Sequence, residues 1–304
     1  MTEITSGTAG GVARVGSGRL RRKRFVALRS MARRFRRQRV PMIALAFLVL
    51  VAAAAVFAPV LAPHDPNVNN LRNALAGPSS QHWLGTDDLG RDVLSRLLFA
   101  ARISLLAAVQ AVGVGVILGV LPGVLAGYFR GWVDQVVMRI TDVLLAFPPI
   151  ILAIAIVGVL GASLTNAMLA IGVIFAPRFA RMMRSSVMQV REETYVEASR
   201  SIGTSTWAIL RKRVIPNSIS PLIVQLSLAS GTAMIAEATL SFLGLGVQPP
   251  DASWGSMVGR SVRHIDRAPM LIVLPGAAIA ITVLALNLVG DGLRDSFGRE
   301  ARRA

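Results

Sequence analysis

The chain has 304 residues, 53% of them hydrophobic and only 16% charged, with a mean hydropathy of +0.58. Soluble chains carry about a quarter charged residues, so the composition argues for an integral membrane protein and against a soluble enzyme. Cysteine is absent, which excludes disulfides, iron–sulfur clusters and a thiol nucleophile, and the net charge of +17 acquires meaning only from its location.

The basic residues concentrate first between Arg14 and Arg39, in a run including Arg21, Arg22, Lys23, Arg24, Arg33, Arg34, Arg36 and Arg37. This run abuts residues 41–62, where every side chain is apolar or small and the length suffices for a helix to cross about 30 Å of hydrocarbon. The positive-inside rule places the N-terminus in the cytoplasm, and lipid headgroups rather than nucleic acid are the expected partner of the tail. The apolar segment begins too far downstream and is too long for a signal peptide, so it reads as a retained anchor.

Five further apolar stretches follow, at about 103–128, 140–160, 164–182, 219–246 and 270–289, giving six expected spans and a cytoplasmic C-terminus. Arg181, Arg184, Arg191, Arg200, Arg211, Lys212 and Arg213 between spans four and five, and Arg294, Arg299, Arg302 and Arg303 at the end, agree with that topology. In the first outer loop, Asp87, Asp88, Arg91 and Asp92 are expected to pair internally, with a helix N-cap at Asp87 or Asp88. A docking surface for another protein is the alternative there. Trp83 and Trp254 fit interfacial anchoring. Pro148-Pro149 interrupts span three, and Pro122, Pro177 and Pro275 lie within spans two, four and six.

The cytoplasmic segment 191–217 carries the most information. Helix formers precede Gly203, which is placed to end a first helix in a left-handed cap; Thr204 or Ser205 can cap a second helix, which Pro216 stops. A loop that merely joins two spans needs only a few residues. The helix–turn–helix, with Ala198, Ser199 and Ser201 permitting close approach, suits insertion into a groove on another protein.

Glu197-Ala198-Ser199, Gly203 and Ile215-Pro216 resemble the EAA signature of importer-type ABC permeases: Glu-Ala-Ala, three residues, Gly, nine residues, then hydrophobic-x-Leu-Pro. Here Ser199 stands for the second Ala, Arg213 for the first hydrophobic residue and Ile215 for Leu. The stretches His82 to Arg96, Ser241 to Pro250, Ser253-Trp254-Gly255 and Asn287 to Asp295 are similar to the second permease subunit of dipeptide and oligopeptide importers. The resemblance runs from about Arg33 to Asp295.

It implies an all-α integral membrane protein with six transmembrane helices, the type I ABC importer permease fold and both termini cytoplasmic, in a prokaryotic cytoplasmic membrane. The implied organisation is a basic cytoplasmic tail at 1–40, the first transmembrane helix and extracytoplasmic loop at 41–99, a core permease domain at 100–291 and a cytoplasmic tail at 292–304. The core would hold five transmembrane helices and the coupling helices at 191–215. Glu197, Ala198, Ser199, Gly203, Ile215 and Pro216 would dock an ATPase. Implied partners are a second permease chain in a heterodimer, two ABC ATPase subunits and an extracytoplasmic peptide-binding protein. Related importers carry nickel, glutathione or sugars.

This chain is expected to bind no cofactor itself, with ATP and magnesium on the partner ATPases. Its only lysines, Lys23 and Lys212, lie outside any phosphate-binding loop. No catalytic residue is expected, because no nucleophile and base can be assembled. No metal site is expected either, since His64, His82 and His264 show no paired ligand spacing on one helix. Glu237, within span five, is a candidate to line the path and meet a peptide amino group, or else to anchor helices by a hydrogen bond. A secondary transporter would need more intramembrane acids than Glu237 supplies.

Overall fold

The computed structural model describes residues 32–298, with side chains to 296, and the described residues contain helices and loops but no strand. The basic run before residue 32 and Arg299, Arg302 and Arg303 lie outside the described residues. In chain order the main helices are α1 (Arg39–Val56), α2 (Ala58–Leu61), α3 (Val93–Phe129), α4 (Gly131–Ala146), α5 (Pro149–Leu160) and α6 (Leu164–Arg191). They continue with α7 (Thr194–Ser201), α8 (Thr206–Ile209), α9 (Ile215–Ser218), α10 (Ser220–Phe242), α11 (Trp254–Ser261) and α12 (Met270–Gly298).

Helices α1, α3, α10 and α12 are long and apolar enough to cross a membrane. The third expected span is bent: α4 and α5 meet at 94° around Phe147 and Pro148. Two successive prolines remove two amide donors and push the preceding residue out of the helical region, so the turn follows from the covalent chemistry. Pro122, Pro177 and Pro275, by contrast, lie inside continuous helices. Helix α6 has 28 residues but carries Arg178, Arg181, Arg184 and Arg191 toward its end, and it falls outside the four. It needs fewer apolar residues because α3 covers it along much of its length, with α4, α5 and α10 packed beside it.

Helix α3 and helix α6 form the centre. Gly115, Gly119, Gly123 and Gly127 recur every fourth residue and face α6, so they make one stripe on α3. A Cβ built on Gly119 would stand 2.3 Å from the Ala176 carbonyl oxygen, and one on Gly123 would stand 2.4 Å from that of Ala180. The two backbones touch there, which in a membrane is how helices gain packing energy without a hydrophobic driving force. Ala107, Ala111, Met168, Ile171, Phe179 and Met183 fill the flanks and are almost wholly buried.

Two helices extend beyond their apolar stretches. Helix α3 begins at Val93, before the apolar stretch, because Asp92 caps it: its carboxylate accepts the Ser95 N–H at 2.8 Å. The N-cap is therefore Asp92, rather than Asp87 or Asp88. The last helix runs past 291 to Gly298, so Arg294 continues the same helix beyond the apolar stretch.

Candidate coupling element and its membrane anchor

Helix α7 closes with a Schellman turn. Gly203 has φ of +74°, its N–H donates to the Arg200 carbonyl at 2.9 Å, and the Thr204 N–H donates to the Ser199 carbonyl at 3.1 Å. A side chain at this backbone angle costs about 1–2 kcal/mol, which is why glycine stands there. The next segment does not end at Pro216. From Thr206 the chain passes through α8, a π-helical turn at Leu210–Val214 and α9. Pro216 sits in the first turn of α9, where its missing N–H does little harm.

The element is held from beneath and bare on top. Val196, Ile209, Leu210 and Val214 are buried, the Ser186 hydroxyl donates to the Ser218 carbonyl at 3.0 Å, and Asn217 Nδ2 donates to the Tyr195 hydroxyl at 3.1 Å. Burial pushes the Tyr195 hydroxyl above its ordinary pKa, against the Asn217 hydrogen bond. Ser199 faces inward, its hydroxyl donating to the Tyr195 carbonyl at 2.7 Å, so it is not part of the exposed face. That face consists of Glu197, Ala198, Ser201, Ile202 and Trp207; Ile202 is 81% exposed and Trp207 71%. Ile215 and Pro216 are half-buried and lie outside that face.

Sequence reasoning missed the fastening to the membrane helices. Arg191 Nη1 donates to the Tyr128 carbonyl at 2.6 Å, and the Arg191 and Arg200 guanidinium groups lie 5.7 and 5.5 Å from the centre of the Tyr128 ring. Arg200 thus turns to the end of α3. Arg130, just beyond α3, pairs with Glu192. Arg184 holds Asp134 of α4 through both carboxylate oxygens, and Arg181 reaches Asp142 at 2.6 Å. The coupling element, α3, α4 and α6 therefore share one charged joint.

Glu237 is 1% exposed and enclosed by hydroxyls: Ser241 donates to it at 2.6 Å and Ser104 lies at 3.5 Å. Ser104 Oγ also accepts the Trp254 N–H at 3.1 Å, while Trp254 Nε1 donates to the Leu97 carbonyl at 3.0 Å. The arrangement ties α10, α3 and α11 together, which is the anchoring geometry. Trp254 is buried here, not interfacial, because its indole seals this joint, whereas Trp83 is 66% exposed.

In the outer loop the expected Asp–Arg pairing is present. Asp87 accepts from Arg91 at 2.7 Å and approaches Arg96 at 3.4 Å. Burial pushes the Asp92 carboxyl up, but the Ser95 N–H, His82 and the Ser95 hydroxyl outweigh it and hold the group below the ordinary carboxylate range.

Comparison with known proteins agrees with this geometry. Residues 115–303 match the family described as "Binding-protein-dependent transport system inner membrane component", and residues 27–78 match the "N-terminal TM domain of oligopeptide transport permease C". The glutathione transport system permease protein GsiD of Escherichia coli O6:K15:H31 is 47% identical over 269 residues, covering 87% of this chain and 88% of that protein. The Shigella flexneri serotype 5b protein of the same name is 48% identical over the same coverage. Among solved structures, the inward-facing MetNI methionine ABC transporter in its native crystal form superposes with a TM-score of 0.57 at 20% identity, covering 67% of this chain and 97% of that chain. Its selenomethionine form gives 0.55 at 21%, covering 67% and 96%. The chain belongs to the binding-protein-dependent transport system inner membrane components and is a multi-pass permease subunit of a bacterial ABC importer, with the type I permease fold.

Proposed function

We propose that this chain pairs with a second permease subunit to line a path for short peptides, glutathione among them, and that Glu197, Ala198, Gly203 and their neighbours seat an ATP-hydrolysing partner. The observation that carries the docking reading is the bare face of α7 and α8. An isoleucine and a tryptophan stand largely in the open on an element otherwise well packed and pinned to two membrane helices, α3 and α6. Such anchors are the residues that bury into partner pockets. Lipid headgroups, with which an amphipathic loop would associate, do not require a rigid Schellman turn or a charged joint.

The joint supplies the mechanism. When the two ATPase subunits close on ATP, a helix–turn–helix seated between them is displaced as a unit, and Tyr128, Arg191 and Arg200 carry that displacement to the inner ends of α3 and α6. Because the glycine seam fuses α3 and α6, they shift together, opening or closing the path as a rigid body. Hydrolysis reverses the motion. ATP and magnesium act on the partner subunits, and an extracytoplasmic binding protein delivers the peptide to the outer face. The peptide class rests on the 47% identity to a glutathione permease, since glutathione is itself a short peptide.

The test is co-purification from membranes. The intact chain is expected to bring down an ATPase whose activity rises with peptide-loaded binding protein. Glu197→Ala and Gly203→Val are expected to reach the membrane but to lose the partner or its stimulation. An intact chain that purifies alone and moves solute without ATP would refute this reading.

A further inference from the structure

The outer loop brings together three side chains whose spacing in sequence gives no sign of it. His82 Nδ1 lies 3.0 Å and His64 Nδ1 3.9 Å from the same oxygen, Oδ1, of Asp92. The two imidazole rings are 4.8 Å apart, and one ligand-type atom from each of the three residues lies within 4.8 Å of the others. The other Asp92 oxygen is occupied: it accepts the Ser95 N–H at 2.8 Å and the Ser95 hydroxyl at 2.7 Å. The carboxylate is therefore fixed with one oxygen presented to the histidines, as an oriented metal ligand is. The Ser95 hydroxyl also accepts the His64 N–H at 3.1 Å, which holds the backbone bearing the second imidazole to the same point.

Burial gives the cluster a closed side and an open one. The Asp92 side chain is fully buried and that of His82 is 15% exposed, whereas that of His64 is 43% exposed. The neighbouring positive charges are engaged elsewhere, Arg91 and Arg96 with Asp87, and Arg96 also with the Pro66 carbonyl at 2.9 Å. Bonds of about 2.0–2.1 Å around a tetrahedral zinc ion set neighbouring ligand atoms roughly 3.3 Å apart. The observed 3.0 and 3.9 Å bracket that value, and a rotation of the exposed His64 ring closes the difference.

We propose that His64, His82 and Asp92 form a divalent transition-metal site on the extracytoplasmic side, taking zinc, with the fourth position open to solvent. Two imidazole nitrogens and one carboxylate oxygen are a zinc donor set. The metal takes the place of the proton that His82 Nδ1 shares with Asp92, which passes to solvent, and His64 offers the lone pair of a neutral imidazole. It would staple the segment after α1 and α2 to the start of α3 across the whole outer loop.

The full chain, purified with its partner subunits and without a histidine tag, is stripped with a chelator and titrated with Zn²⁺, and in parallel with Co²⁺ as a spectroscopic probe. One site should appear that gives a tetrahedral cobalt spectrum and disappears in the variants His64→Ala and His82→Asn. Affinity should fall by about a hundredfold or more, since even loss of an outer-shell partner costs about 10–100-fold. His82→Asn keeps a donor to Asp92, so an unchanged melting temperature of the metal-free protein separates ligand loss from misfolding. His264→Ala, the third histidine, should bind as the intact chain does. Equal uptake by the intact chain and both ligand variants, or no uptake beyond that of the partner subunits, overturns the proposal.

Discussion

Two regions of this permease are built on opposite principles. Along the α3–α6 seam, four glycines let two backbones touch, and no room remains for another atom. On the cytoplasmic element, Ile202 and Trp207 project with none of the described residues covering them. The seam is finished within the subunit, whereas the coupling face, on the function proposed above, is the one a partner would complete. A transporter needs both: a rigid body to be moved, and an unfilled surface by which to move it. Substitutions in the two regions should therefore fail differently, the first in folding and the second in coupling.

The largest effect is expected in the seam. Gly119→Leu drives a branched side chain into the Ala176 carbonyl; overpacking costs about 1–3 kcal/mol even where neighbours can yield, and here the neighbour is backbone. The chain should be lost from the membrane fraction, as quantitative blotting would reveal; normal accumulation would mean that the helices are not fused. Next comes Trp207→Ala. It should leave membrane accumulation unchanged and weaken ATPase association by about 2 kcal/mol or more, the loss typical of a buried aromatic anchor, measured as partner recovered on the purified chain.

Glu237 sharpens the contrast from within the membrane. Glu237→Ala removes the acceptor of the Ser241 hydrogen bond and should lower stability by about 1–3 kcal/mol, whereas Glu237→Gln retains an acceptor and should cost less. Thermal melting of the purified complex compares them. If both variants melt as the intact protein does but transport slows, the carboxylate serves the path and not the joint. The smallest effect belongs to Glu192→Ala. Its pair with Arg130 is well exposed, so stability should change by no more than about 1 kcal/mol, read from the same melting curves.

What was legible in the sequence follows the same division. Gly203 announced its cap because a helix terminus is a local event, decided by backbone angle within a few residues. The spans were legible as hydropathy, but hydropathy is blind to which face a helix buries. The Gly115, Gly119, Gly123 and Gly127 repeat is a small-xxx-small signal that marks the seam directly, and it lies inside a stretch that reads simply as apolar. Pro216 misled because a proline after a π-helical turn starts a short helix instead of ending one. Tyr128 with Arg191 and Arg200, Glu237 with Ser104 and Trp254, and His64 with His82 join residues distant along the chain. No periodicity encodes such meetings; they depend on how loops fold back and how helices cross.

The docking of the bare cytoplasmic face can be probed directly because the chain contains no cysteine. A single Ile202→Cys substitution supplies one thiol at the centre of that face, and Val159→Cys, 87% exposed at the far end of α5, supplies a control. With a short thiol-reactive cross-linker added to membranes containing the assembled transporter, position 202 is expected to join an ATPase subunit, with a yield that changes when ATP is bound, while position 159 does not. No product at position 202, or equal products at both positions, would contradict the assignment of α7 and α8 as the coupling surface.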